Sequence, residues 1–152
     1  QVIENYWKKL TAPLLDRIDL RIPVFPPSAT NLLEDTKYSI EDLRVDIKKA
    51  RELQYERSHK TVEKDPPSFI EYKNANLLPR DTSSICRLSE EASRTFSDLT
   101  EKKQLSGRGS HAVLKIARTI ADIEGTNKIA TVHLEEAFSL RQWSNFLPDF
   151  LS

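Results

Sequence analysis

The chain has 152 residues, enough for one domain-sized unit with a single buried core. Its 23 lysines and arginines balance 23 aspartates and glutamates, so no net charge steers it toward nucleic acid or a membrane surface. The single Cys86 excludes an internal disulfide framework and suits a reducing cytosol, and no apolar run approaches the roughly 20 residues of a membrane span.

In chain order, Val2, Ile3, Tyr6, Trp7 and Leu10 recur at helical spacing, which predicts an amphipathic helix over 2–10 rather than a signal peptide. A chain that opens inside a helix and contains no methionine reads as a fragment of a longer protein; a processed mature chain is the alternative. Next, Ile18, Leu20, Ile22 and Val24 alternate with Asp19, Arg21 and Pro23. This period of two predicts a half-buried strand over 18–24, whose apolar face needs a partner. Arg17 projects from the turn before it, between Asp16 and Asp19. Two readings stand: a plain surface Arg–Asp pair of little energetic consequence, or aspartates that hold the stem of an arginine aimed at a ligand. Pro23, Pro26 and Pro27 then stop the strand and make a stiff connector.

From there the pattern is helical. Residues 31–35 read as one short turn. Ser39 caps a long helix with Glu41 and Asp42 in its first turn and the narrow stripe Ile40, Leu43, Ile47, Ala50 and Gln54. Lys48, Lys49, Arg51, Arg57 and Lys60 form a basic cluster, but interspersed acids favour a solvated face over a nucleic-acid contact. Residues 61–68, with Pro66-Pro67, read as a loop, and 69–78 is ambiguous. A helical bundle follows from Asp81. Its first helix starts at Ser89 and uses Ala92, Phe96 and Leu99; Glu90-Glu91 and Glu135-Glu136 are first-turn acids favoured by helix dipoles.

The second bundle helix buries Val113, Ile116, Ala117, Ile120 and Ile123, widened by Leu114 and Ala121, and stops at Gly125. Arg108 stands at its N-terminal end, where the helix favours anions, so the cation gains nothing locally and points to a target elsewhere, such as nucleotide phosphate. Gly107 and Gly109 bracket it and each costs about 1 kcal/mol relative to alanine within a helix, which predicts a start at Ser110 and a flexible approach through Arg108. Lys115 and Arg118 are further cations on this helix, and Arg118 is expected to pair with a carboxylate inside the bundle. The third helix is capped by Thr131 and uses Leu134, Ala137, Phe138 and the stem of Arg141. In the tail, Trp143, Phe146, Leu147, Phe150 and Leu151 keep helical spacing around Pro148, either as a docking strip for another subunit or to fold back on the bundle.

Catalytic signals are thin. His59, His111 and His133 are scattered and lack paired metal-ligand spacing, so no metal site is expected. The three glycines, 107, 109 and 125, form neither a G-x-S-x-G elbow nor a phosphate-cradling loop of the G-x-x-x-x-G-K-[ST] type.

Several strings nevertheless resemble one family in order: Pro13-Leu-Leu-Asp-Arg-Ile-Asp-Leu20, Asn74-Ala-Asn-Leu77, Cys86-Arg-Leu88, Leu105-Ser106, Leu114-Lys-Ile-Ala-Arg-Thr-Ile-Ala-Asp122 and His133-Leu-Glu-Glu-Ala137. The long helix with Ala50-Arg51 and Gln54…Arg57 fits as well. Together they resemble the C-terminal third of the ComM/YifB proteins, magnesium-chelatase-like AAA+ ATPases, over residues 6–141. The resemblance implies a mainly α fold: a helical-bundle lid preceded by the last helix and strand of an AAA+ core. It divides the chain into core end 1–27, connector with long helix 28–82, lid 83–142 and aromatic tail 143–152. It also implies that Arg17 is an arginine finger acting in trans, and that Arg108 is the sensor-2 arginine on a phosphate bound by its own subunit. Ser110 departs from the aromatic that relatives carry at that position. ATP and Mg would belong to the parent, with none bound to this segment. The parent would be a cytoplasmic homo-oligomer, a hexamer, acting on DNA as a helicase or branch-migration motor. A magnesium-chelatase motor subunit and a free-standing helical interaction module are the alternatives.

Overall fold

A computed structural model describes residues 12–22, 24, 26, 39–61 and 72–141. The expected helix over 2–10, the turn at 31–35, most of the 61–68 loop and the tail 143–152 lie outside these residues. The described part is helical: α1 (Ala12–Asp16), α2 (Ile40–Thr61), a 3-10 turn (Asn74–Asn76), α3 (Pro79–Ile85), α4 (Glu90–Lys102), α5 (Gly107–Ile123) and α6 (Thr131–Ser139). The mainly α expectation holds.

The bundle is built around α5, which buries Ala112, Val113, Ala117 and Ala121 against its neighbours. The small side chains let helix axes approach closely, so Cys86, Ala92, Ile129, Leu134, Ala137 and Phe138 complete one continuous core. Phe96 and Phe138 meet with ring centroids 6.4 Å apart. The predicted stripe of α5 is correct except at Ile123, the last residue of the helix, which is half exposed. Outside the helices, a parallel bridge between Leu88 and Ile129 ties the approaches to α4 and α6.

Helix ends follow local chemistry, with two departures from the sequence reading. Ser89 and Ser106 each accept an N–H three residues on, from Ala92 at 3.1 Å and Gly109 at 2.9 Å. The Ser106 cap lets α5 begin at Gly107, not Ser110: satisfying an orphan amide offsets part of the glycine penalty. At α6 the cap position is Ala130, and Thr131 is the first helical residue. His133 supplies the bond instead, its Nδ1 accepting the Ala130 N–H at 2.9 Å while Nε2–H donates to Glu124 at 2.7 Å. Gly125 stops α5 with φ +73, as its sequence position implied. The short α3 was not legible as a helix; Pro79 at its first position and Asp81 in its first turn suit it locally.

Ser106 also donates its hydroxyl to Asp16 at 2.8 Å. Ser106→Ala therefore removes a cap and a tertiary bond, and urea unfolding should show a loss of about 1 kcal/mol or slightly more.

Two expectations fail in an instructive way. On α2, Ser39 caps as predicted, accepting the Asp42 N–H at 3.1 Å, but only Ala50 and Gln54 of the stripe are buried; Ile40, Leu43 and Ile47 are exposed. Only the C-terminal half of α2 meets the bundle, through α5 and the edge-on Tyr55–Tyr72 contact. Lys48, Lys49 and Arg51 of the basic cluster are indeed solvated, with Lys48–Glu52 and Lys49–Asp46 as exposed pairs one turn apart. The second failure is the strand over 18–24, none of whose described residues is in a strand. The alternation is real but reversed: Ile18, Leu20, Ile22 and Val24 face outward, while Asp19 and Arg21 face the bundle. No sheet lies among the described residues to receive the apolar row, and polar partners on α5 and just past the end of α6 hold the segment instead.

Candidate functional site

The first part of the site is a cleft of about 420 Å³ at the N-terminal end of α5, lined by Asp19, Leu77, Pro79, Arg108, His111 and Lys115 among others. Arg108 is the second residue of α5 and is exposed; among the described residues no side chain bonds it. His111, one turn on, has Nδ1 3.0 Å from Thr82 Oγ1, whose own proton goes to the Leu78 carbonyl at 3.0 Å. This contact fixes the imidazole ring against the α3 side of the cleft. Lys115 donates to the Ala75 carbonyl at 3.1 Å and lies 3.8 Å from Asp19. The cleft thus carries two cations, one anchored and one exposed, at the end of a helix that favours anions.

The second part is the turn that carries Arg17. Its flanking aspartates do not hold the Arg17 stem, and Arg17 forms no ion pair with either. Both reach the bundle instead. Asp16 accepts from Ser106, at the start of α5, and meets Arg141 at 3.4 Å. Asp19 meets Arg141 at 3.6 Å and Lys115 at 3.8 Å. Arg17 is left exposed between two fastened residues. Because Ser106 is two residues from Arg108, the Asp16–Ser106 bond brings the Arg17 turn beside the end of α5 that presents Arg108.

A third group braces α5 from behind. Asp122 and Arg118 are fully buried and joined at 3.0 Å, as expected for Arg118. Arg118 also donates to the Thr126 and Asn127 carbonyls beyond the helix end. Asp122 further accepts from Arg57 and, at 2.8 Å, from Asn74, the first residue of the Asn-x-x-Leu string. Asn74 is fixed in turn by Thr119 at 3.0 Å and by Gln54, which accepts its amide N–H at 3.2 Å. Arg57 is therefore part of a tertiary network, not of the solvated basic face. Burial lowers the Arg118 guanidinium from its ordinary pKa, and Asp122 opposes that shift.

Cys86 sits on the core side of this network and is buried. Burial pushes its thiol up to about 11, with nearby Arg118 and Arg57 pulling weakly the other way. At pH 8 only about one native molecule in a thousand then carries a thiolate. Alkylation at that pH should run at least ~100-fold slower in the folded chain than in urea. The raised pKa also has a sign: the native state holds its proton longer, so Cys86 subtracts stability as pH rises from about 9 toward 11, and Cys86→Ala should remove that part of the alkaline slope.

Sequence reading missed Arg141 and Arg57 as tertiary partners. Arg57 lies in the last turns of α2 and Arg141 just past α6, and spacing says nothing about which acid a long side chain will find.

No described helix is long and apolar enough to cross a membrane. Among the described residues no group of three or more His, Cys, Asp or Glu side chains is placed to hold a metal ion.

Residues 37–141 match the family described as magnesium chelatase, subunit ChlI C-terminal. The competence protein ComM of Haemophilus influenzae is 33% identical over 143 residues, covering 93% of this chain and 26% of that protein. YifB of Salmonella typhimurium is 34% identical over 139 residues, and YifB of Escherichia coli 32% over 139, each covering 90% of this chain and 25% of the relative. The chain thus spans about a quarter of the length of these curated relatives. A match over most of the helical bundle, together with relatives at this identity, places the chain in the magnesium-chelatase-like ComM/YifB family, as a C-terminal segment.

Proposed function

We propose that this chain is the lid and arginine-finger segment of an AAA+ ATPase, an oligomeric motor that acts on DNA. The observation that carries the reading is the pairing of two exposed arginines. Arg108 opens α5 at a cationic cleft, and Arg17 stands on the turn fastened to that same helix end by Asp16. Phosphoryl transfer asks little covalent chemistry of a protein; it needs charge placed where the γ-phosphate develops it. An arginine suits both positions, because its fork stays protonated and matches phosphate oxygens in pairs. Arg17 would serve a nucleotide on a neighbouring subunit, and Arg108 a phosphate of the nucleotide under the lid. ATP and its Mg ion would be held by a P-loop elsewhere in the parent protein, since these 152 residues contain none.

The test has two arms. The isolated chain should show no ATP turnover and at best millimolar ATP affinity, because most phosphate contacts of such enzymes come from the P-loop. The full-length protein should hydrolyse ATP, and Arg108→Ala should lower that turnover. Full activity in Arg108→Ala would assign the cleft to another ligand. Turnover by the isolated chain, persisting with Arg17 and Arg108 both replaced, would show that catalysis does not depend on an upstream site.

A further inference from the structure

We propose that Arg141 is a positioning residue for Arg17: it seats the Arg17 turn on the helical bundle, so that the bundle carries the finger with it. The inference rests on the finger reading of Arg17 given above, but its geometry stands apart from that reading. Arg141 follows the C-terminal end of α6, 124 positions from Arg17 in the chain, and is nearly buried. Its two terminal nitrogens are spent entirely on the turn. Nη1 donates to the Ile18 carbonyl at 3.2 Å and faces Asp19 at 3.6 Å; Nη2 lies 3.4 Å from the Asp16 carboxylate and 3.5 Å from its carbonyl. Every one of these acceptors belongs to residues 16–19, the span that contains Arg17.

The backbone closes the seat from the other side. The Arg21 amide donates to the Leu140 carbonyl at 2.8 Å, and Arg21 Nη1 donates to the Arg141 carbonyl at 2.9 Å. Arg21 also reaches back to the Leu15 carbonyl, which ties the two ends of the turn together. Ser106 and Lys115 of α5 take the remaining oxygens of Asp16 and Asp19. Gly109 lies directly under the pair: a methyl there would sit 3.4 Å from Asp16 Oδ1 and 3.6 Å from Arg141 Nη2. The turn is short and Ile18, Leu20 and Ile22 face outward, with only Leu15 half-buried beside Leu105 and Phe138, so these polar contacts supply most of its hold.

The charge arrangement favours Arg141 over any other residue as the seat. A guanidinium can meet two carboxylates and two carbonyls from one plane, whereas a lysine offers one point of charge. Asp16 gains further from standing at the N-terminal end of α5, where negative charge is stabilised. A rigid seat matters because a misplacement of about 1 Å at a catalytic group can cost ~10²-fold in rate.

The test is made in the full-length protein, with Arg141→Gln and, from the turn side, Asp16→Asn; circular dichroism confirms that each stays folded. Amide exchange should quicken at least ~10-fold at Ile18 and Arg21 and remain unchanged in the middle of α5. Turnover should fall ~10²-fold in Arg141→Gln with KM for ATP unaltered, and Arg141→Lys should recover only part of it. Exchange at 18–21 unchanged in both variants would overturn the seat. Quickened exchange with undiminished turnover would overturn the positioning role, provided Arg17→Ala is itself inactive. An active Arg17→Ala would instead remove the finger reading, and the positioning role with it, while the exchange data would still report the seat.

Discussion

Arg17→Ala in the full-length protein should leave ATP binding nearly intact and abolish hydrolysis, with a loss of ~10³-fold or more in turnover. On the finger reading proposed above, the contact would strengthen only as charge develops on the transferring phosphoryl group, so the ground state would hardly register its removal. Arg17 is exposed, with Asp16 and Asp19 both turned to the bundle, as the proposed finger role requires. Mixing Arg17→Ala with a P-loop mutant of the same protein supplies the decisive measurement. In a mixed oligomer one intact finger can face one intact nucleotide site, so part of the activity should return. If the mixture stays inactive while both mutants still assemble and bind ATP as expected, Arg17 does not act across subunits. The same assay applied to Arg108→Ala reports whose phosphate that residue serves; a contact made within one subunit leaves that mixture inactive.

The largest stability effect is expected at Asp122. Asp122→Ala strands Arg118, whose side chain is fully buried, and also releases Arg57 and Asn74. Removing one partner of a buried ion pair typically costs about 3–5 kcal/mol, because the other charge is left without compensation. Native domains hold only ~5–15 kcal/mol in total, so the variant should lose a large share of its stability. The double variant Arg118→Met/Asp122→Leu should lose less than Asp122→Ala alone, since no uncompensated charge remains in the core. Arg57 keeps a quarter of its side chain exposed and can turn to water in that background. Urea unfolding of the three chains measures the difference. A loss below about 1 kcal/mol in Asp122→Ala would mean that the network does not brace α5.

The elements legible from sequence are those set by neighbours a turn or less away. Ser39 and Ser89 cap helices because a side-chain oxygen lies within reach of an amide three residues on, whatever surrounds it. Ser106 does the same, but the glycines beside Arg108 hid it and moved the expected start to Ser110. Gly125 ends α5 because it takes a positive φ at little cost. Val113, Ala117 and Ala121 are buried because a 3.6-residue period puts them on one face. The strings LLDRID and LKIARTIAD are likewise a property of the sequence, and so is the family they indicate, whereas Gly107, Gly109 and Ser110 around Arg108 depart from its pattern.

Tertiary structure alone decided which partner each long polar side chain found. Asp16 and Asp19 flank Arg17 in sequence, yet both bind elements some 90 to 125 positions away. Arg57 lies within a run of charges and reads as solvated, but the bundle brings Asp122 to it. The reversed faces of residues 18–24 have the same origin. Period-two alternation specifies two faces without specifying which one is covered, and that depends on whether a sheet or a set of polar groups stands beside the segment. Here Arg141 and Lys115 stand beside it, so the polar side turns inward and the apolar row outward. Local periodicity and capping thus determined the helices, while ion pairing over long sequence separations set how the Arg17 turn is fastened to them.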